Sequence, residues 1–444
     1  MINVIQILLG VSIGIVLWVL LHFKGNLYFS PVSDSGKRNI FILLFVVGFL
    51  CRLLFAFDVP AFQSPDEKAH LGYIQYISEN KSLPIQPDVF DLDRKDYEYY
   101  QPPAYYLAMS MFYTFGNLIK FDELSNIFMI RSISVILWIL TFAATWLIIK
   151  RLRLESNFSE IFLMAFVGLL PSYMFISTMI NNDNLITCLA GIIFLLAIQV
   201  KDKISIKDAI LMASFAAMSF LTKYTGVLLL VFLVVFIISK VEWKEIKFTG
   251  IAPIIIAAFI VVLMLAPMLI RNRELYGSFI PLSVGAHFPN WDSITYGIYR
   301  AFKNFLNTFW GVAGRTNDIK FIPAIIVGNI IALIALYGII KGLFSKDSYA
   351  GRFCNNNISF SIASFISVMI GMMILIYYGA KYGHAQGRFI FPLIIPIGIW
   401  MAVGFKNVIG ERVENTKFIL NTVGLFLLSA TSFTGYVLSK FIAS

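Results

Sequence analysis

Apolar residues recur in blocks near 4–23, 39–57, 127–149, 158–178, 184–200, 207–222, 224–239, 249–270, 321–340, 358–378, 389–405 and 418–441. A helix needs about 20 apolar residues to cross a bilayer, so these blocks predict about 12 transmembrane helices in an all-α polytopic membrane protein. The first block has no basic residue ahead of it and no small-x-small cleavage site, which predicts a retained span rather than a removable leader. One stretch is ambiguous: 207–239 is either one long helix or a hairpin turning near Lys223-Tyr224-Thr225-Gly226.

Charge decides that ambiguity. Connections carrying Lys24, Lys37 and Arg38; Lys150, Arg151 and Arg153; Lys201, Lys203 and Lys207; Lys240, Lys244 and Lys247; Lys341, Lys346 and Arg352; and Lys406, Arg412 and Lys417 alternate with other connections. With a hairpin in 207–239 all six clusters fall on one side, the cytoplasm; a single helix would put the last three outside. The chain then reads as one polytopic domain over 1–444, with an external loop and juxtamembrane helices at 58–126 and a second external loop at 271–320. From Asp58 to Gln101 nine acids stand against four bases, an acidic external loop. The segment 102–119 is apolar and aromatic but counts as a span only if the topology breaks, so it is expected to lie along the interface.

Composition changes little after this. The chain is 59% hydrophobic and 14% charged, which excludes a soluble globule, and its net charge of +10 resides largely in short loops, as insertion requires, so nucleic acid is not expected as a partner. Cys51, Cys188 and Cys354 lie far apart without metal-ligand spacing, and His70 and His384 do not make a zinc site by spacing. No phosphate-binding loop pattern is evident.

Candidate chemistry concentrates at the external ends of the spans. Ser64-Pro65-Asp66-Glu67 reads as a capping box, Ser64 as N-cap and Glu67 three residues on, which accounts for every residue in it. Against that, Asp66, His70, Tyr73, Ile74 and Ile77 share one helical stripe, so Asp66 points with the buried face while Glu67 makes the cap. Asn181-Asn182-Asp183 reads either as an N-cap or as an isolated acidic site. Arg271 and Arg388 at other span ends are interfacial anchors or seats for an anionic phosphate.

In order along the chain stand Pro65-Asp66-Glu67, extended as D-E-x-x-H to His70; aromatic-Gln-Pro-Pro-x-Tyr-Tyr at Tyr100 to Tyr106; Arg131; Asn-x-Asp at Asn181 to Asp183; Thr-Lys-x-Thr-Gly at Thr222 to Gly226; Arg-Asn-x-x-x-Tyr-Gly at Arg271 to Gly277; and Gln-Gly-Arg-aromatic at Gln386 to Phe389. This series resembles the GT-C superfamily of integral-membrane glycosyltransferases, in particular the protein O-mannosyltransferases and the aminoarabinose transferase of lipid A. It departs from the latter in having Gln101 where that enzyme has lysine, and in the additional amino-terminal span.

The resemblance implies a multi-pass plasma-membrane enzyme that takes sugar from a polyprenyl-phosphate donor to an acceptor hydroxyl on an envelope glycan, lipid or protein, at the outer face. It implies Asp66 as general base with inversion at the sugar, Glu67 and Asp183 orienting the acceptor or Asp66, and Arg271 and Arg388 holding the phosphate, with Lys223, Arg131 and His384 as further phosphate candidates. His70, Gln101, Tyr105, Asn182 and Asn272 are expected to line the substrate. No metal is required, although Mg²⁺ or Mn²⁺ between Asp66 and Asp183 fits hard-oxygen chemistry. A lipid-linked sugar flippase and an envelope glycan polymerase are the other functions a chain of this span pattern suggests; against the first, the acids gather at one edge instead of the bilayer midplane.

Overall fold

A computed structural model describes residues 32–87, 94–152, 154–241, 248–281, 294–382 and 385–442. The expected first span, His384 and part of each external loop lie outside these residues. The described chain is helical, apart from a two-residue antiparallel pairing of Val312–Ala313 (β1) with Ile319–Lys320 (β2).

The helices are α1 Asp34–Asp58, α2 Glu67–Asn80, α3 Ala104–Leu118, α4 Glu123–Arg151, α5 Asn157–Leu169, α6 Pro171–Ile176, α7 Asp183–Gln199, α8 Ile206–Thr222, α9 Val227–Ser239, α10 Phe248–Tyr276, α11 Ile294–Thr308, α12 Ile322–Leu343, α13 Tyr349–Asn356, α14 Ile358–Tyr382, α15 Ile394–Ile409 and α16 Thr416–Ile442. Among the described residues seven helical runs are long and apolar enough to cross a membrane: α1, α4, α10, α12, α14, the run through α15 and α16. The helices α5, α7 and α9 are apolar but shorter. The count of 12 is therefore not reproduced by length. The expected span 158–178 is divided at Leu170, where Pro171 opens a separate short helix in place of continuing α5.

The ambiguous stretch 207–239 is two helices. Lys223 adopts an extended conformation (φ −158°, ψ 145°) after α8, and one 3-10 turn at Tyr224–Gly226 leads into α9, which packs against α8. This break matters chemically, because it releases Lys223 from the helix at the end of the bundle that carries Asp183.

Packing follows what a lipid solvent permits. α12 exposes Ile322, Ile326, Ile330, Leu333 and Leu336 on one face and buries Ile325, Gly328, Ala335 and Gly338 on the other. On that buried face a Cβ added to Gly338 would lie 1.9 Å from the Gly404 carbonyl oxygen of α15, and one added to Gly404 would lie 2.1 Å from Ala335 O. Small residues let the two backbones touch, which in a bilayer substitutes for hydrophobic attraction between helices. The helix α3 buries Tyr105, Tyr106, Met109 and Tyr113 against α2 and α4 and exposes Leu107, Met111, Phe115 and Leu118. It is a 15-residue amphipathic element and not one of the long apolar runs.

The two ends of the bundle are both polar and differ in kind. At one end Lys37 bonds Glu160 at 2.6 Å, Lys406 bonds Glu414 at 2.6 Å and Ser156 donates to Glu414. The other end gathers α2, the 94–101 segment and the amino ends of α7 and of the 387–393 turn.

Candidate active site

The start of α2 is not the capping box expected from sequence. Helix α2 begins at Glu67, and Asp66 occupies the cap position in the left-handed region (φ 62°, ψ 1°) without a side-chain cap bond. Ser64 Oγ is buried with no partner among the described residues. A left-handed turn costs an L-residue roughly 1–2 kcal/mol, though aspartate tolerates it better than most. Here it points the two neighbouring carboxylates in different directions.

Glu67 turns into the protein. Its Oε1 accepts from Arg131 Nε at 2.9 Å and from the Ile180 amide at 3.2 Å; its Oε2 accepts from Arg131 Nη2 at 2.8 Å and from the Phe62 amide at 3.0 Å. Arg131 spends its remaining donors on the carbonyls of Ala56, Val59 and Pro60, and both side chains are fully buried. This corrects two expectations. Arg131 has no donor left for a phosphate, and Glu67 has no oxygen left for an acceptor; the pair ties α2 to α1, α4 and the Ile180 turn.

Asp66 turns outward, with its side chain 24% exposed. Tyr97 donates to Oδ1 at 2.5 Å and Arg388 Nη2 donates to Oδ2. Arg388 is oriented by Gln386, whose Oε1 accepts from Nε at 2.6 Å, and its Nη1 lies 3.9 Å from Asp183 Oδ2. Asp183 Oδ1 accepts from Lys223 Nζ at 2.6 Å. Two carboxylates and two cations thus alternate in one buried chain: Lys223, Asp183, Arg388, Asp66. Burial alone would raise the Asp66 pKa, but the Arg388 guanidinium and the Tyr97 hydroxyl outweigh it and hold the carboxyl well below the usual range.

Asp183 is the first residue of α7, and its amide donates to Asn181 Oδ1 at 2.8 Å; neither Asn182 nor Asp183 caps the helix by its side chain. Asn182 Nδ2 donates instead to Tyr106 OH, which also bonds His70 Nδ1 at 2.9 Å. His70 is buried, and that burial lowers its pKa to about 3, so it is uncharged at neutral pH. Tyr105 is fully buried with its ring edge-on to His70. Arg271 donates to Pro84 O at 2.6 Å, and Asn272 donates to Tyr224 OH at 3.2 Å, which in turn donates to Tyr100 O. These two sit on a neighbouring wall and are not bonded to the carboxylates.

Among the described residues, His70 Nε2, Glu98 Oε2, Gln101 Oε1, Asn182 Oδ1, Asp183 Oδ2 and Arg388 Nη1 are all buried without a hydrogen-bond partner. Native proteins leave few such atoms, and a cluster of them at one end of a fold marks a place built to meet something else. Among the described residues no three His, Cys, Asp or Glu side chains come together as a metal set. Sequence reasoning missed Tyr97 and Glu98 as site residues, although both stand within four residues of the Gln101-Pro102-Pro103 motif. Gln386 lay inside the motif that was noted for Arg388.

Residues 101–270 match the family described as dolichyl-phosphate-mannose-protein mannosyltransferase. ArnT from Cupriavidus metallidurans bound to undecaprenyl phosphate has a similar structure, with TM-score 0.53, 13% identity and coverage of 93% of this chain and 78% of that one. The same ArnT in its apo state gives TM-score 0.57 at 12% identity, covering 92% and 77%. The fold is the one these ArnT structures share. A third structure, the archaeal oligosaccharyltransferase AglB from Archaeoglobus fulgidus in complex with an inhibitory peptide and a dolichol-phosphate, gives TM-score 0.51 at 12% identity and covers 91% of this chain and 56% of that one. No curated protein matches the chain.

Proposed function

We propose that this GT-C protein transfers a sugar from a polyprenyl-phosphate donor to an acceptor hydroxyl at the outer face of the plasma membrane, with inversion at the anomeric carbon and Asp66 as general base. The observation that carries this reading is the Lys223, Asp183, Arg388, Asp66 chain, surrounded by unpartnered buried polar atoms, in a fold shared with ArnT bound to undecaprenyl phosphate.

The chemistry asks little of the protein. The acceptor oxygen forms a bond to the anomeric carbon, the bond from that carbon to the phosphate oxygen breaks, the lipid leaves as polyprenyl phosphate, and the acceptor proton passes to Asp66. Arg388 and Lys223 are the cations placed to take the phosphate charge. In the resting site both are neutralised by carboxylates, and a carboxylate held at low pKa is a weak base. A donor phosphate competes with Asp66 for Arg388. As it takes the guanidinium over, the influence that depresses Asp66 is relieved, and its basicity rises where it is needed. Arg271 and Asn272 line the approach beside this seat, with Gln101, His70, Tyr105 and Asn182 on the substrate side. The reading needs no Mg²⁺ or Mn²⁺.

The test is transfer itself. Purified protein in liposomes, supplied with radiolabelled polyprenyl-phosphate sugars and envelope extract, is expected to release sugar from lipid to an acceptor, unaffected by chelator and dependent on Asp66. Movement of intact lipid-linked sugar between leaflets, without transfer to any acceptor, would replace this reading with the flippase.

A further inference from the structure

A third carboxyl group belongs to this end of the bundle and has no part in the mechanism above. Glu98 lies in the turn Tyr97–Tyr100, between Tyr97, which donates to Asp66, and Tyr100, whose carbonyl accepts from Tyr224. It is 8% exposed, and its Oε2 has no partner among the described residues. The groups facing it are Asp66 from the start of α2, Lys223 from the end of α8, Arg388 from the 387–393 turn, Gln101, and the hydroxyls of Tyr97, Tyr100 and Tyr106.

Charge counting gives this residue a task. Asp66 and Asp183 balance Arg388 and Lys223, and His70 is uncharged, so the groups that face Glu98 are neutral in sum before it is considered, with Arg271 outside them on its own wall. An ionised Glu98 leaves one negative charge in excess, in a buried setting where repulsion of a phosphodiester is poorly screened. A protonated Glu98 leaves the site neutral and supplies an O–H donor at an oxygen that nothing else engages.

We propose that Glu98 is a donor-recognition residue that works protonated, admitting an anionic phosphodiester and donating its own hydrogen bond to the bound substrate. The proposal rests on the reading of this site as the seat of a polyprenyl-phosphate donor. Burial, with the Asp66 charge next in weight, pushes the Glu98 carboxyl up to about 8, which makes the protonated form the resident one at neutral pH. Donor binding is then lost as pH rises, because the competent form is depleted; this is opposite to the loss at low pH expected when a carboxylate must be ionised to bind.

The test uses methyl undecaprenyl phosphate, a phosphodiester that keeps a single charge across the range, with full-length protein in lipid nanodiscs. Wild-type affinity is expected to be flat up to about pH 8 and then to fall about tenfold per pH unit, roughly 30-fold by pH 9.5. Glu98→Gln, which mimics the protonated group, is expected to bind like wild type at pH 7 and to keep that affinity at pH 9.5. If that variant does not fold, Glu98→Ala is expected to bind more weakly at pH 7 but without the alkaline fall. A flat wild-type curve, or an alkaline fall that persists in both variants, overturns the role of Glu98 and leaves the donor site standing. Failure of wild type to bind the probe at any pH overturns the donor reading, and this proposal with it.

Discussion

Asp66 and Glu67 are adjacent in sequence and opposite in function, because one left-handed residue aims their carboxylates apart. Asp66→Asn keeps the shape and the Tyr97 contact and removes the proton acceptor. Transfer is expected to fall about 10²–10⁴-fold, with a smaller loss of thermal stability than at Glu67 because Arg388 keeps Asp183 beside it and Asp66 is partly exposed. Glu67→Gln leaves Arg131 charged and fully buried without its counter-ion, which typically costs about 3–5 kcal/mol. Its expected signature is a lowered melting temperature and reduced expression, and activity per folded molecule that is spared. Full activity in Asp66→Asn with catalytic loss in a stable Glu67→Gln would reverse the assignment. The pair was visible in sequence, and so was the stripe that places His70 beside Asp66. The stripe put Asp66 on the buried face with Glu67 as the cap, whereas Glu67 is the acid that turns inward, because the direction depends on the backbone angle at Asp66 and on Arg131, which is 64 residues from Glu67. For the same reason Arg131 and Arg388 looked alike as arginines at span ends. Only their partners separate a saturated structural guanidinium from one whose Nη1 makes no hydrogen bond.

At the scale of elements, the site depends on how closely the 94–101 segment lies against α2. A Cβ at Gly72 would stand 2.3 Å from the Lys95 carbonyl oxygen, a backbone atom that cannot swing away. Gly72→Val is therefore expected to push the segment off α2, carrying Tyr97 away from Asp66 and Glu98 out of its buried place. The measurable result is a weaker donor affinity with α2 still helical; wild-type affinity in a folded Gly72→Val would mean that the segment does not organise the site. Helix existence was readable from apolar periodicity, and the break at Lys223 from its local sequence together with the charge rule. The division at Leu170 was missed, since Pro171 lies inside an otherwise continuous apolar run and a membrane helix can absorb a proline. Tight crossings such as Gly338 on Gly404 were not legible either, because a glycine in a span reads equally as a contact point or as filler.

At the scale of the whole molecule, the two polar ends must face different compartments, and the charge pattern predicts which. Lys346 belongs to a basic connection between α12 and α13, whereas Lys81 and Lys120 follow α2 and α3 at the end that carries Asp66; all three residues are exposed. Positive charges near spans are retained on the cytoplasmic side during insertion. Cysteines introduced singly at these positions, in a background with Cys51, Cys188 and Cys354 replaced by serine or alanine, report the sidedness in intact cells. A membrane-impermeant maleimide is expected to label the cysteine at Lys81 or Lys120 directly, and the one at Lys346 only after the membrane is opened. The reverse pattern would place Asp66 and Arg388 at the cytoplasmic face. The transferase chemistry could survive that result, because the charged chain around Asp66 is the same in either orientation, but the acceptor would then have to be found inside the cell and not among the components of the envelope.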